Sequence, residues 1–326
     1  LKSRNNKTIF WSVAIKVTVF LLLLFALYKQ LYLNKEAQTI PDKLLNVGAA
    51  ELIGYVLLLT LLMLLNWGIE AYKWQQLVIK ITPIRFFRTF KAVWTGVTLG
   101  LFTPNRVGEF GGRILYVPRK FRIKAVIVSL IGSFSQNLAT IIIGIIGLII
   151  YLHQVEQITL SVTFAVGLVS AIAITLLLLA YYNLDVVVQL FKRSKYLKRI
   201  YPYTAILAEY HSRDLTKLLL LAFWRYSVYT AQYLIFLKMF GAEINIVSGI
   251  SAIGVIYLAQ TVIPSFAVVE LLTRLPVATL IFSKYGIPIG TSLAATTSIW
   301  ILNLILPAIL GYIFIIRYNF FKNRQS

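Results

Sequence analysis

The sequence predicts an all-α polytopic membrane protein, a transmembrane helical bundle with six full spans and two broken or re-entrant helical elements arranged as an inverted repeat. Three observations carry that prediction. Hydrophobic residues make up 59% of the 326 residues and charged residues only 13%, with a mean hydropathy of +0.80; soluble domains run at about 45–50% and about 25%. The apolar residues fall in blocks close to the ~20 that a helix needs to cross a bilayer. The chain also has 32 Lys and Arg against 11 Asp and Glu, and the basic residues gather in some intervening segments and avoid others.

The first block is 9–33. Lys2, Arg4 and Lys7 precede it as in a signal peptide, but it is too long for such a segment and no small-residue cleavage site follows. A retained first span is expected. Further full spans are expected at 48–70, 125–152, 159–182, 218–240 and 290–316. Two apolar regions do not fit. Region 92–102 ends at Thr103-Pro104, and region 248–283 is interrupted by Pro264, Glu270, Arg274 and Pro276.

Charge placement sets the expected topology, because Lys and Arg concentrate in cytoplasmic loops. Segments 1–8, 71–91, 103–124, 183–217 and 317–326 hold most of the 32 basic residues. Loop 34–47 mixes both signs, while 153–158 and 241–247 contain Glu156 and Glu243 and no Lys or Arg. The basic segments are therefore expected in the cytoplasm, with both termini there, in a bacterial or archaeal plasma membrane. This works only if 92–104 enters and turns back, and if 248–288 begins and ends outside. The expected organisation is one membrane domain over 1–326, with half-repeats at about 48–182 and 218–316. The basic linker 183–217 interleaves Lys192, Arg193, Lys195 and Lys198 with Tyr196 and Tyr201, which suits the surface of an anionic leaflet.

The two misfit regions share a pattern. In the first, Pro104 is followed by Arg106, Glu109 and Arg113; in the second, Pro264 is followed by Glu270 and Arg274. Each Glu precedes an Arg by four positions, so on a helix the two share a face. Broken helices at membrane depth survive only when buried in protein or facing a water-filled cavity, and paired breaks in opposite orientations mark binding sites between repeats. A plain interfacial ion pair would give the same spacing. Asn66, Glu70 and Lys73 also share a helix face and suit either a cavity lining or a helix-end ion pair. Gln136, Asn137 and Gln260 suit a headgroup contact or an interhelical hydrogen bond. Lys16, Arg225 and Lys238 suit snorkelling or pairing.

The composition also excludes chemistry. With no cysteine, disulfides, thiolate metal sites and cysteine nucleophiles are ruled out. His153 and His211 are far apart and have no partner at metal-ligand spacing. Only Asp42, Asp185 and Asp214 are aspartates, and no Asp-x-Asp, P-loop or Gly-x-Ser-x-Gly pattern occurs. No cofactor, metal or catalytic residue is expected. The basic charge reads as topology rather than nucleic-acid binding, since no nucleic-acid motif accompanies it.

Residues Phe102-Thr-Pro-Asn-Arg-Val-Gly-Glu-Phe-Gly-Gly-Arg113 resemble the signature of the lysylphosphatidylglycerol synthase transmembrane region, whose members are often called flippase-like domain proteins. The span layout and the late proline–glutamate segment agree over most of the chain. In the second segment Ser265-Phe-Ala-Val-Val269 stands where the family often has glycines. The resemblance implies movement of a polar or charged lipid between leaflets. Aminoacyl-transferring members carry a large soluble domain; this sequence ends at Ser326, and lipid aminoacylation by it is not expected.

Three functions fit these residues. The first is translocation of a membrane phospholipid or other anionic lipid through a site built from Arg106, Glu109, Arg113, Glu270 and Arg274, with Asn66, Glu70, Lys73, Gln136 and Asn137 alongside. The second is a metal-free membrane enzyme on a lipid-linked substrate, with Glu109 or Glu270 as base. The third is a lipid-binding scaffold subunit without turnover. A homodimer is a further expectation.

Overall fold

The computed structural model describes residues 48–103, 106–193, 201–262 and 267–317. The expected first span 9–33 with Lys16, the prolines 104 and 264, and the basic stretch around Tyr196 lie outside the described residues. Among the described residues every regular element is helical.

Helix α1 (Ala49–Val78) opens the bundle. It is followed by α2 (Phe86–Leu101), a break, the short α3 (Gly108–Ile114) and the long α4 (Arg122–Gln154). Helix α5 (Leu160–Tyr182) leads into α6 (Leu184–Arg193) and α7 (Tyr201–Thr204). Helix α8 (Ser212–Met239) precedes α9 (Ile246–Val262), a second break and α10 (Ala267–Ser283). The chain closes with α11 (Ile289–Trp300), a π-helical turn at Ile301–Ile305 and α12 (Leu306–Arg317).

Among the described residues, four helical segments are long and apolar enough to cross a membrane: Ala49–Val78, Arg119–Gln154, Leu160–Tyr182 and Ile289–Ile316. They match the spans expected at 48–70, 125–152, 159–182 and 290–316. Helix α8 contains the span expected at 218–240 and has the length, but Arg225, Gln232 and a run of tyrosines make it less apolar. Those side chains point into the bundle rather than toward lipid: Tyr226, Gln232 and Tyr233 are buried. Helix α5 shows the opposite extreme. It is apolar on all sides, and only Tyr181 is buried, as expected of a helix solvated by acyl chains. The protein is thus an all-α integral membrane protein.

Much of the basic linker 183–217 is helical: α6, α7, the 3-10 turn Ala205–Glu209 and the start of α8 occupy most of it. Leu184, Val188, Ile206 and Leu207 are buried, so an apolar stripe beneath the charges folds the segment onto the bundle.

The limbs of the two breaks pack on helices remote in sequence. Helix α9, the first limb of the second break, packs along α4, the long helix that follows the first break. Helix α2, the first limb of the first break, packs along α12. The opening spans α1 and α8 pack on each other. Small residues permit these approaches. A Cβ on Gly147 of α4 would meet the Ser251 carbonyl of α9 at 2.9 Å, and a Cβ on Gly311 would collide with the Trp94 carbonyl of α2.

Candidate functional site

The first break is a hairpin. Helix α3 doubles back on α2 so closely that a Cβ on Gly112 would lie 2.5 Å from the Gly96 Cα. Only glycine on both sides allows that approach. Thr103 holds the turn: its hydroxyl accepts a hydrogen bond from the Gly108 N–H at 2.7 Å. Arg106, at the tip, has a φ of 55°, a left-handed conformation that is strained for a residue with a Cβ and is often found at functional sites. The second break also doubles back, since Arg274 of α10 donates from Nε to Gln260 of α9 at 2.8 Å.

These hairpins bring together charges that are remote in sequence. Arg106 Nη2 lies 2.6 Å from Glu270 Oε2, bridging the two breaks. Glu270 is also paired with Arg274 one turn on. Arg106 lies 3.7 Å from Glu109, and Glu109 lies 3.2 Å from Arg113. Arg113 reaches Glu70 of α1 at 2.9 Å. Glu70 is also held by Lys73 at 2.8 Å and by Arg225 of α8 at 3.2 Å. The result is one continuous chain of alternating sign, Lys73–Glu70–Arg113–Glu109–Arg106–Glu270–Arg274, with Arg225 branching from Glu70.

Burial is graded along this chain. Lys73, Glu70, Arg274 and Arg113 have side chains 2%, 6%, 4% and 9% exposed, whereas Arg106 is 33% exposed. The inner groups are too well enclosed to be unpaired, because an isolated buried charge costs several kcal/mol. The Arg106 tip is the part most open to the surroundings.

Neutral groups complete the inner end. Gln136 of α4 accepts from Lys73 at 3.2 Å and from Arg225 at 3.3 Å. Arg225 Nε donates to Asn66 at 3.1 Å, and Asn66 donates to Asn303 at 2.9 Å. Asn303 sits in the π-helical turn and donates to Gln232 at 3.0 Å. At the other end Arg274 lies over the Tyr257 ring, 5.3 Å from its centroid.

Of the sequence-derived candidates, Arg106, Glu109, Arg113, Glu270, Arg274, Glu70, Lys73, Asn66 and Gln136 are all joined in this network. Asn137 is not: it is exposed on α4, because one residue turns a helix by ~100° and carries its side chain off the face Gln136 presents. Lys238 is likewise exposed. Gln232, Asn303 and Tyr257 join the site without having been singled out in the sequence, and Arg225, expected to snorkel or pair, pairs with Glu70 within it. A polar residue in the middle of an apolar run is the signal that would have found Asn303.

A family model matches residues 10–315, and its description is the lysylphosphatidylglycerol synthase TM region. No curated protein and no solved structure matches the chain. The family match covers nearly the whole sequence, including both breaks and all the charged residues joined above, and the chain therefore belongs to the lysylphosphatidylglycerol synthase transmembrane-region family.

Proposed function

We propose that this protein moves a polar or charged lipid between membrane leaflets, with the headgroup held where the two helical breaks meet. The observation that carries this reading is the Arg106–Glu270 pair, which ties one hairpin to the other at the most exposed point of a buried charge network. A headgroup reaching Arg106 competes with Glu270 for its guanidinium, and guanidinium suits phosphate oxygens. Releasing Glu270 loosens the link between the hairpins, and the inner cations offer the headgroup its next partners. In this reading the first break opens from the cytoplasm and the second from outside, as in transporters built from inverted repeats.

The enzyme alternative has less support. Glu109 and Glu270 are each engaged by two guanidinium groups, which leaves neither poised as a free base. Reconstitution in vesicles with fluorescent lipids tests translocation. Wild-type protein is expected to accelerate transbilayer exchange, and Arg106→Ala and Glu270→Ala to slow it at least tenfold, the equivalent of about 1.4 kcal/mol. Exchange unchanged by both substitutions would sink the proposed path. Binding of lipid without any exchange would favour the scaffold.

A further inference from the structure

We infer that the site selects a headgroup carrying two negative charges, that of a terminal phosphate monoester, over the single charge of a phosphodiester. The inference rests on the headgroup reading above and deepens it.

Five cations, Lys73, Arg106, Arg113, Arg225 and Arg274, share three carboxylates, Glu70, Glu109 and Glu270. Every one of these ion pairs joins members of the same set, so among the described residues two positive charges are left over. At low dielectric that excess is costly, and a ligand of charge −2 neutralises it. A phosphodiester would leave one charge unbalanced, and a zwitterion would leave both.

An independent observation points the same way. Arg113 Nε, Gln260 Nε2, Trp67 Nε1 and the hydroxyl of Tyr257 are buried without a hydrogen-bond partner among the described residues. Each belongs to the network or touches it. Gln260 accepts from Arg274, Trp67 lies beneath Arg225, and Arg274 lies over Tyr257. All four groups can donate, and buried polar groups are rarely left unpaired. A phosphate terminus supplies only acceptors, with more oxygens free than a diester has.

Equilibrium binding to the purified full chain in neutral detergent tests this at about pH 8, above the second ionisation of a phosphomonoester near ~6. The probes are dioleoyl phosphatidic acid and farnesyl monophosphate, with dioleoyl phosphatidylglycerol and phosphatidylcholine for comparison. Inorganic phosphate is the headgroup-only arm. The dianionic lipids are expected to bind about tenfold or more tighter than phosphatidylglycerol. If inorganic phosphate matches them, the site is a phosphate site without lipid preference, and the lipid part of the inference falls.

Arg225→Gln removes one unit of the excess and is expected to collapse the preference toward phosphatidylglycerol, while Arg225→Lys keeps it. A merely structural role would weaken every lipid alike. Lys73→Met gives the same readout if Arg225→Gln does not fold. Equal binding of the mono- and dianionic lipids to wild type, or an unchanged ratio in both charge-removing variants, overturns the inference. Selective dianion binding without vesicle exchange would uphold it and reject translocation instead.

Discussion

Arg106 and Glu270 stand 164 positions apart, yet their side chains meet at 2.6 Å. This contact joins two hairpins, each of which carries a second opposite charge: Glu109 sits beside Arg106, and Arg274 sits beside Glu270. The pair therefore cannot be inverted without conflict. The charge swap Arg106→Glu with Glu270→Arg would set Glu against Glu109 and Arg against Arg274. The swapped protein is expected to remain as slow in lipid exchange as either single alanine variant, although an isolated pair would be rescued by the swap. Vesicle exchange and thermal unfolding of the four proteins in a double-mutant cycle measure this; full rescue would mean the pair acts alone.

Glu70 is the hub of the inner end, holding Lys73, Arg113 and Arg225 in a fully enclosed position. Removing one partner from a buried ion cluster typically costs ~3–5 kcal/mol, because the charges left behind have lost their counter-ion. Glu70→Gln is expected to destabilise the protein by about that amount in detergent unfolding. Adding Lys73→Met should recover part of the loss, since residues in one network are not additive. A double variant less stable than Glu70→Gln alone would contradict the assignment of Glu70 as the hub.

The first hairpin depends on two facing glycines. A methyl group on Gly112 would meet backbone atoms of Thr95 and Gly96 at 2.5–2.7 Å, and backbone cannot step aside as a side chain can. Overpacking of this kind costs ~1–3 kcal/mol. Gly112→Ala is expected to lower thermal stability and to slow exchange together, by displacing Arg113 and Glu109. Gly111→Ala, where nothing lies within 4 Å of the added Cβ, serves as the matched control and should be neutral in both measurements.

Much of this was legible in the sequence, for a physical reason. Apolar blocks, helix breaks and Glu–Arg pairs four residues apart are local features, and a membrane makes ionisable residues within apolar runs conspicuous. Glu109–Arg113 and Glu270–Arg274 pair as their spacing dictates. The contact of Arg113 with Glu70, and of Arg106 with Glu270, depends on how helices meet, which spacing cannot supply. The helices within 184–193 and 201–217 were hidden because Lys, Arg and Tyr interrupt the apolar residues there, and Leu184, Val188, Ile206 and Leu207 do the packing. Asn137 was grouped with Gln136 by adjacency, and helix rotation separates them.

A second electrostatic contact lies outside the membrane-spanning part. Asp214, in the first turn of α8, is paired with Lys80 and accepts from the His211 backbone N–H at 3.1 Å. Partial burial raises its carboxyl, but the hydrogen bonds from Lys80 and His211 outweigh that and hold it below the ordinary aspartate value. A carboxyl depressed in the folded state stabilises the fold above its unfolded pKa of ~3.9 and loses that contribution as pH falls through the folded value. Thermal stability of the wild type is expected to include a small component that disappears below about pH 4. Asp214→Asn should lack that component and show no difference from wild type at the acid end. A difference that persists undiminished at low pH would show that the carboxylate charge is not what stabilises this junction.

Asn303 offers the last prediction, since it links the π-helical turn to the charges through amides alone. It accepts from Asn66 and donates to Gln232, and Asn66 in turn accepts from Arg225. π-Helical turns within α-helices are rare and recur at functional sites. Replacing Asn303 by Leu keeps the bulk but leaves Asn66 Nδ2 and Gln232 Oε1 buried without this partner, at a cost of ~1–3 kcal/mol for each unsatisfied group. The orientation of Asn66 is then no longer fixed, and Arg225 loses a defined acceptor. Asn303→Leu is therefore expected both to lower thermal stability and to weaken binding of a phosphate-headed lipid, although Asn303 itself touches none of the charged side chains. Asn303→Gln keeps an amide oxygen for Asn66 and an amide donor for Gln232 without adding charge, and it should keep more of the lipid affinity than the leucine variant. Lipid binding by the two variants at matched folded fraction checks this. Equal losses in both would show that Asn303 acts through packing rather than by orienting Asn66.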